Sequence, residues 1–238
     1  VSGAGGPAGA GAPPRAIVLA AGRGERMRPL TDQVPKPLLT VRGRPLIEWH
    51  LEALAAAGVR EVVVNTAWLG EQFPARLGDG ARFGLVLRYS EEARDHGQAL
   101  ETAGGIAKAL PWLGEVFWVV SGDVYTPGFR FEAAHAARFA AGRDLAHLWL
   151  VPNAPHHPAG DFAIVDGRAR SGPPPRLTWS SIGLYRAEMF RGLAVGTRAP
   201  LRPLLDAAIA ADRLGAERWD GAWTDVGTPQ RLAALNAD

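Results

Sequence analysis

A short, wholly apolar segment at residues 16–20 (AIVLA) runs without a break into Ala21-Gly22-Arg23-Gly24-Glu25-Arg26-Met27-Arg28-Pro29. This pairing of a buried strand with a glycine-rich turn constrains the chain more than any other feature. Glycine lets backbone approach a ligand, and a turn past the carboxyl end of the first strand is where an α/β sheet aims its amides at phosphate. Two motif readings fail. A dinucleotide fingerprint needs a third glycine at position 27, which is Met27, and an immediate helix, which Pro29, Pro35 and Pro37 break. A P-loop needs Gly-Lys-Ser/Thr, which does not follow. What remains is an irregular loop over residues 22–39. Its two glycines, with Arg26 and Lys36, favour anion binding over a plain surface loop.

Downstream, apolar strands alternate with helical patterns. Leu46, Ile47, Leu51 and Leu54 fall at helical spacing before Gly58. Residues 62–65, 85–89, 116–121 and 146–151 read as strands. Residues 102–110 read as a helix stopped by Pro111, and 131–141 as another helix. Strands apolar on both faces, separated by helices, predict an α/β fold: a Rossmann-like, doubly wound, mostly parallel central sheet. After Val151 the register changes. His, Pro and Gly cluster at 152–160, and short strands at 162–165 and 177–185 predict a smaller, mixed-strand, substrate-binding annex. A helix at 200–211, a late strand at 218–224 and a closing helix at 229–236 complete the reading. Residues 1–14 are expected to be a flexible tail, leaving 15–238 as one domain, with a nucleotide-binding core (15–151) and a closing segment (152–238).

Composition removes several function classes. Cysteine is absent, which excludes disulfides, thiolate metal sites and Cys nucleophiles. No apolar run reaches the roughly 18 residues of a membrane helix, and no signal-peptide pattern opens the chain, so no membrane partner and a cytoplasmic location are expected. Net charge is only +2, with no cationic block, so nucleic acid is not an expected partner. Ser121, Ser180 and Ser181 lack the context of a serine hydrolase. Lys36 and Lys108 are the only lysines, against 24 arginines. A retained Lys suggests a need for a compact ammonium, although Lys108 also suits an ordinary surface position.

The candidate site residues follow from these elements. Pro35-Lys36-Pro37 presents one ammonium on a stiff backbone. Asp123, beyond strand 116–121 and Gly122, is placed either to hold a hard cation or to cap a turn. Asp225, in Trp223-Thr224-Asp225-Val226-Gly227-Thr228-Pro229, is a second candidate, and sequence alone does not bring it to Asp123. Thr102 is expected to cap a helix, and Gly104 and Gly105 either admit a flat base or belong to a plain helix start. His156 and His157 lack metal-ligand spacing and suit a polar loop or a substrate contact.

Taken together, Leu19-Ala20-Ala21-Gly22-x-Gly24-x-Arg26-Met27-x-Pro29-Leu30-Thr31, Pro35-Lys36-Pro37-Leu38, Gly122-Asp123-Val124 and Asp225-Val226-Gly227-Thr228 resemble the sugar-1-phosphate nucleotidylyltransferase family. The resemblance covers residues 16–236. It implies that Leu19, Ala20, Ala21, Gly22, Gly24, Arg26 and Met27 hold a nucleoside triphosphate, and that Arg26, Lys36 and Asp123 carry catalysis. Asp123 and Asp225 would bind Mg²⁺. Glu101, Thr102 and Gly104 would line base and ribose, and Asn153, Gly160, Asp161 and Ser181 the sugar. Residues 60–69, 100–106 and 152–162 are most similar to members that pair UTP with N-acetylmuramic acid 1-phosphate and release pyrophosphate, in peptidoglycan recycling. A GDP-, CDP- or dTDP-sugar product, or a non-catalytic sugar-nucleotide sensor, stays open as an alternative.

Two departures stand out. Many relatives carry a second Lys for the sugar phosphate, and none follows Lys108 here. Many also read the base with a Gln shortly before their Leu-Gly-Thr segment. Here Leu100-Glu101-Thr102 follows residues 90–97, with acidic Glu91, Glu92 and Asp95.

Overall fold

The computed structural model describes residues 14–173 and 175–237, so nearly all of the expected tail, residues 1–13, lies outside the described residues. Nine strands form the main sheet: β1 (Arg15–Leu19), β2 (Glu61–Thr66), β3 (Val86–Glu91), β4 (Val116–Ser121), β5 (Ala146–Val151), β6 (Ala163–Val165), β7 (Arg168–Arg170), β8 (Thr178–Arg186) and β9 (Leu214–Arg218). Their order across the sheet is β3-β2-β1-β4-β8-β5-β9-β7-β6. Pairing is parallel through β3, β2, β1 and β4, and again between β5 and β9. Antiparallel β8 joins the two halves by pairing with β4 and β5. The mixed strands expected after Val151 are present and extend this same sheet.

Helices α1 (Leu46–Ala56), α2 (Gln72–Leu77) and α5 (Ala133–Ala141) cover one face. Helices α4 (Glu101–Leu113) and α6 (Arg202–Ala210) cover the other, while α3 (Glu92–His96) follows β3 directly and α7 (Pro229–Asn236) packs through Leu232 on a third cluster. Each central strand divides its side chains by the period-2 alternation of β structure. Val18, Val64, Trp118 and Val120 pack with Ile47, Leu51 and Phe139. Their neighbours Ile17, Val63, Phe117 and Val119 pack with Ile106, Leu113 and Leu205. A third cluster, Met27, Leu39, Val41, Leu46, Tyr125, Val226 and Leu232, ties the glycine-rich loop to the closing helix. Among the described residues, no helix is long and apolar enough to cross a membrane.

Three local expectations need correction. Helix α4 does not stop at Pro111 but runs on to Leu113. Proline forfeits one helical hydrogen bond, and burial of Leu113 in the core offsets that loss in the last turn. Thr102 makes no capping hydrogen bond. The carbonyl of Ala199 instead accepts the Ala103 and Gly104 amides at 3.0 and 3.1 Å, so a distant segment caps the helix. The late strand is Leu214–Arg218 rather than 218–224, and Thr224–Asp225 forms a separate short ladder with Val124–Tyr125.

Candidate active site

The parallel strands β1, β2 and β4 end together, and a cleft of about 640 Å³ opens beyond them. At its floor β1 stops at Leu19, and the glycine-rich loop turns back over the sheet. Gly24 holds φ +67°, and a Cβ there would lie 3.0 Å from Thr31 Cγ2 and 3.3 Å from Lys36 Cβ. The position therefore demands glycine twice over, for its left-handed backbone and for the close approach. The Gly24 carbonyl accepts the Met27 amide at 2.9 Å and the Thr31 hydroxyl at 2.8 Å. Met27, fully buried, anchors the loop from beneath while contributing to the cleft wall. Arg23 faces away: it stacks 3.8 Å over Trp68 and bonds Asp32 and the Thr31 carbonyl. Trp68 donates to that same carbonyl at 2.9 Å and so braces the loop. Arg26 is exposed on the wall beside Glu25.

Lys36 opens a 3₁₀ turn, Lys36–Leu38, and its side chain is only 10% exposed. Its Nζ donates to Asp123 Oδ2 at 2.6 Å, and the Ser121 hydroxyl donates to Asp123 Oδ1 at 2.6 Å. Burial alone would raise the Asp123 carboxyl. The Lys36 charge and hydrogen bond, with Ser121, outweigh it and hold the carboxyl below its ordinary value. A third of the Asp123 side chain remains open to the cleft. Gly122 makes this convergence possible. Its amide bonds the Leu19 carbonyl at 2.8 Å, and a Cβ would press on that oxygen at 3.1 Å and on Pro37 at 3.2 Å.

Asp225 reaches the same end of the sheet through its ladder with Val124, reinforced by the Val226 amide on the Asp123 carbonyl at 2.9 Å. Its neighbour Gly227 lines the cleft. Asp225 Oδ1 lies 2.5 Å from Arg231 Nη1 and 2.8 Å from His156 Nε2. His156 thus ties the 152–160 loop to the start of α7, where Thr228 caps the Arg231 amide at 3.3 Å. Among the described residues no three His, Cys, Asp or Glu side chains form a metal cage. Asp123, in a turn, and Asp225, on the short strand paired with Val124, offer two carboxylates near the glycine-rich loop, a set that suits Mg²⁺, which commonly takes one or two carboxylates and completes its shell with phosphate and water.

The opposite wall carries Gln98, Ala99, Glu101, Thr102 and Arg198. Glu101 holds φ +60° and pairs with Arg198 Nη2 at 2.8 Å. Gly104 is not open to the cleft as a base platform. A Cβ there would meet the Thr197 carbonyl at 2.3 Å, so glycine is needed for the 197–199 segment to pack on α4. Gly105 faces Glu92 and Asn65 in the same way. Two polar wall residues escaped the sequence reading. Gln98 carried a usable signal, an amide just past Gly97 and ahead of a helix. Arg198 carried none, because backbone hydrogen bonds between Ala199 and Leu100 bring it in from far along the chain.

The four expected sugar residues do not line this cleft. Asn153 is held by the Pro158 and Arg176 carbonyls and the Thr178 hydroxyl. Asp161 accepts the Trp179 amide at 2.8 Å and lies 3.1 Å from His157. Gly160 holds φ +61°, with Arg176 and Asn153 both 2.8 Å from a built Cβ. Together they fasten the 153–161 loop to β8. Ser181, at φ +64°, sits in the bulge of β8, one residue before the Ile182–Val120 pair.

The sequence profile of the Nucleotidyl transferase family matches residues 15–167. An N-acetylmuramate alpha-1-phosphate uridylyltransferase from Neisseria meningitidis is 48% identical over 228 residues, covering 94% of this chain and 97% of that protein. A protein of the same description from Caulobacter vibrioides is 35% identical, covering 95% and 97%. A Bacillus anthracis crystal structure described as a glucose-1-phosphate thymidylyltransferase, in complex with sucrose, superposes with a TM-score of 0.81 at 21% identity, covering 94% of each chain.

Proposed function

Because the chain belongs to the Nucleotidyl transferase family, we propose that it is an enzyme that transfers the uridylyl group of UTP to N-acetylmuramic acid 1-phosphate, giving the UDP-sugar and pyrophosphate. The observation that carries the reading is the Lys36–Asp123 pair at the floor of a cleft built from the glycine-rich loop. The similarity to the Neisseria and Caulobacter proteins, full length on both sides, supports the choice of substrates.

In this reading the backbone of residues 20–24 cradles the triphosphate, with Arg26 and Lys36 neutralising its oxygens. Gln98 offers an amide to the Watson–Crick edge of uracil, and Thr102 faces the ribose. An oxygen of the sugar phosphate attacks the α-phosphorus in line. The new P–O bond forms as the bond from the α-phosphorus to the bridging oxygen breaks, and pyrophosphate carries away the electron pair. The protein contributes position and charge rather than a covalent intermediate. Asp123 and Asp225 would hold Mg²⁺, which supplies further charge neutralisation at the phosphates when bound. One phosphoanhydride replaces another, so the reaction runs readily in both directions.

The deciding experiment is pyrophosphate release across a panel of UTP, GTP, CTP and dTTP with the 1-phosphates of N-acetylmuramic acid, N-acetylglucosamine and mannose. Turnover with UTP and N-acetylmuramic acid 1-phosphate is expected. Release only with GTP and mannose 1-phosphate would overturn the substrate choice, and tight binding without turnover across the panel would overturn the enzymatic reading.

A further inference from the structure

Beneath the two walls of the cleft runs a chain of buried hydrogen bonds that takes no direct part in the chemistry. The Ala20 amide, first in the glycine-rich loop, donates to Asn65 Oδ1 at 2.8 Å. Asn65 Nδ2 donates to Glu92 Oε1 at 2.7 Å. Glu92 Oε2 accepts the Leu100 amide at 2.7 Å, at the threshold of α4. Glu92 is fully buried and Asn65 nearly so. A buried carboxylate without such partners would be costly, and a half-satisfied network is worse than none. Here both carboxylate oxygens have a donor. Burial pushes the Glu92 carboxyl above its ordinary value, and the Leu100 and Asn65 hydrogen bonds, with the nearby charge of Lys108 (8% exposed and bonded to Asp95 at 2.7 Å), pull against that rise. Gly105 leaves room for the link. A Cβ on it would fall 2.4 Å from Glu92 Oε1 and 2.7 Å from Asn65 Nδ2.

The two ends of this chain are the two halves of the nucleotide site. Ala20 belongs to the triphosphate loop, and Leu100 fixes the segment bearing Gln98, Ala99 and Glu101 on the opposite wall. We propose that Asn65 and Glu92 are positioning residues that set the distance between the phosphate-binding loop and the base-binding segment. This inference rests on the cleft being the nucleotide site, as in the function proposed above. Holding both halves before substrate arrives lowers the ordering cost of binding, so the link acts on nucleotide affinity rather than on the reacting atoms.

The polarity of the link supplies the test. In Glu92→Gln, the new amide nitrogen must face either Asn65 Nδ2 or the Leu100 N–H, and both are donors. In Asn65→Asp, a second carboxylate faces Glu92, acceptor against acceptor. The double variant restores all three bonds with only the middle one reversed: Asp at 65 accepts from Ala20 and from Gln at 92, whose oxygen accepts from Leu100. Each single variant is expected to raise the UTP Kd about tenfold or more, the scale of one buried unmatched polar group. The double variant is expected to return to within about threefold of the parent. The KM for UTP should follow these changes while the KM for the sugar phosphate stays within about twofold, a split that loss of global stability does not produce.

Binding is measured by calorimetry with Mg²⁺, using UTP and GTP in parallel. A parent protein that binds GTP alone overturns the uridylyl reading and leaves the comparison between variants intact. Amide hydrogen exchange at Ala20 and Leu100, read without nucleotide, reports the link directly: slow in the parent and double variant, fast in the singles. Where a single variant does not fold, the double variant decides alone. Folding with parental affinity supports the proposal. A double variant that is unfolded, or folded with affinity still lost, overturns it, as do single variants that bind UTP normally.

Discussion

Lys36 Nζ and Asp123 Oδ2 lie 2.6 Å apart, joining a proline-stiffened loop to the end of a central strand 87 positions later. Each residue limits the other. The carboxylate fixes the ammonium at the cleft floor, and the ammonium keeps the carboxylate ionised in a half-enclosed place.

Lys36→Ala is expected to lower the rate of pyrophosphate release by about 100-fold or more, the scale for losing one preorganised electrostatic group. Lys36→Arg should rescue little of it. The side chain is 10% exposed and packed against Gly24, which leaves no space for a planar guanidinium. Steady-state rates at saturating substrates check both: near-parental turnover in Lys36→Ala would remove Lys36 from the mechanism, and near-parental turnover in Lys36→Arg would show that a guanidinium serves as well.

Asp225 Oδ1 lies at ion-pair distance, 2.5 Å, from Arg231 Nη1, so its carboxylate is oriented before any cation arrives. Asp225→Asn keeps the shape and removes the charge. The Mg²⁺ concentration for half-maximal rate should rise about tenfold or more. A Mg²⁺ titration of initial rates reads this, and an unchanged midpoint would place the cation elsewhere.

Gly24→Ala forces a side chain onto φ +67° and against Thr31 Cγ2 at 3.0 Å. Backbone strain of about 1 kcal/mol or more should lower the unfolding midpoint. Because the strain is relieved by moving the loop, the KM for UTP should rise as well. A parental Tm and KM together would show that the loop conformation is not enforced by this glycine.

The acid limb of stability has a specific source. His50 is buried under the Asp123 strand end, 2.8 Å from the Val124 carbonyl. Burial lowers its pKa from 6.5 to about 4, against smaller upward pulls from Val124 and Asp123. Below pH 6.5 the unfolded chain takes up a proton that the folded chain refuses. The stabilisation is therefore complete above pH 6.5 and is lost as pH falls toward 4, by about 3 kcal/mol over the window. Urea unfolding of the metal-free protein at pH 7 and pH 5 should show a smaller drop for His50→Gln than for the parent, and equal drops would acquit His50.

Lys108 shows how far composition reaches. Its rarity in an arginine-rich chain points to a compact ammonium, and its side chain is buried with Nζ paired to a part-exposed Asp95, yet nothing in the sequence named that partner. The central strands were legible because a strand covered on both faces must be apolar throughout, a local signature. The glycine-rich loop was legible because its glycines and prolines restrict the backbone residue by residue.

Sequence by itself determined the α/β architecture, the glycine-rich loop and the stiff presentation of Lys36, all of which follow from forces acting within a few residues. Only the tertiary structure decided that Asp225 pairs beside Asp123, that Ala199 caps α4, that Gly104 and Gly105 make room for protein rather than ligand, and that Glu92 links both walls of the cleft. Those contacts join residues from 8 to about 100 positions apart. They are selected by the packing of the whole core, and so they leave no period or spacing in the chain to read.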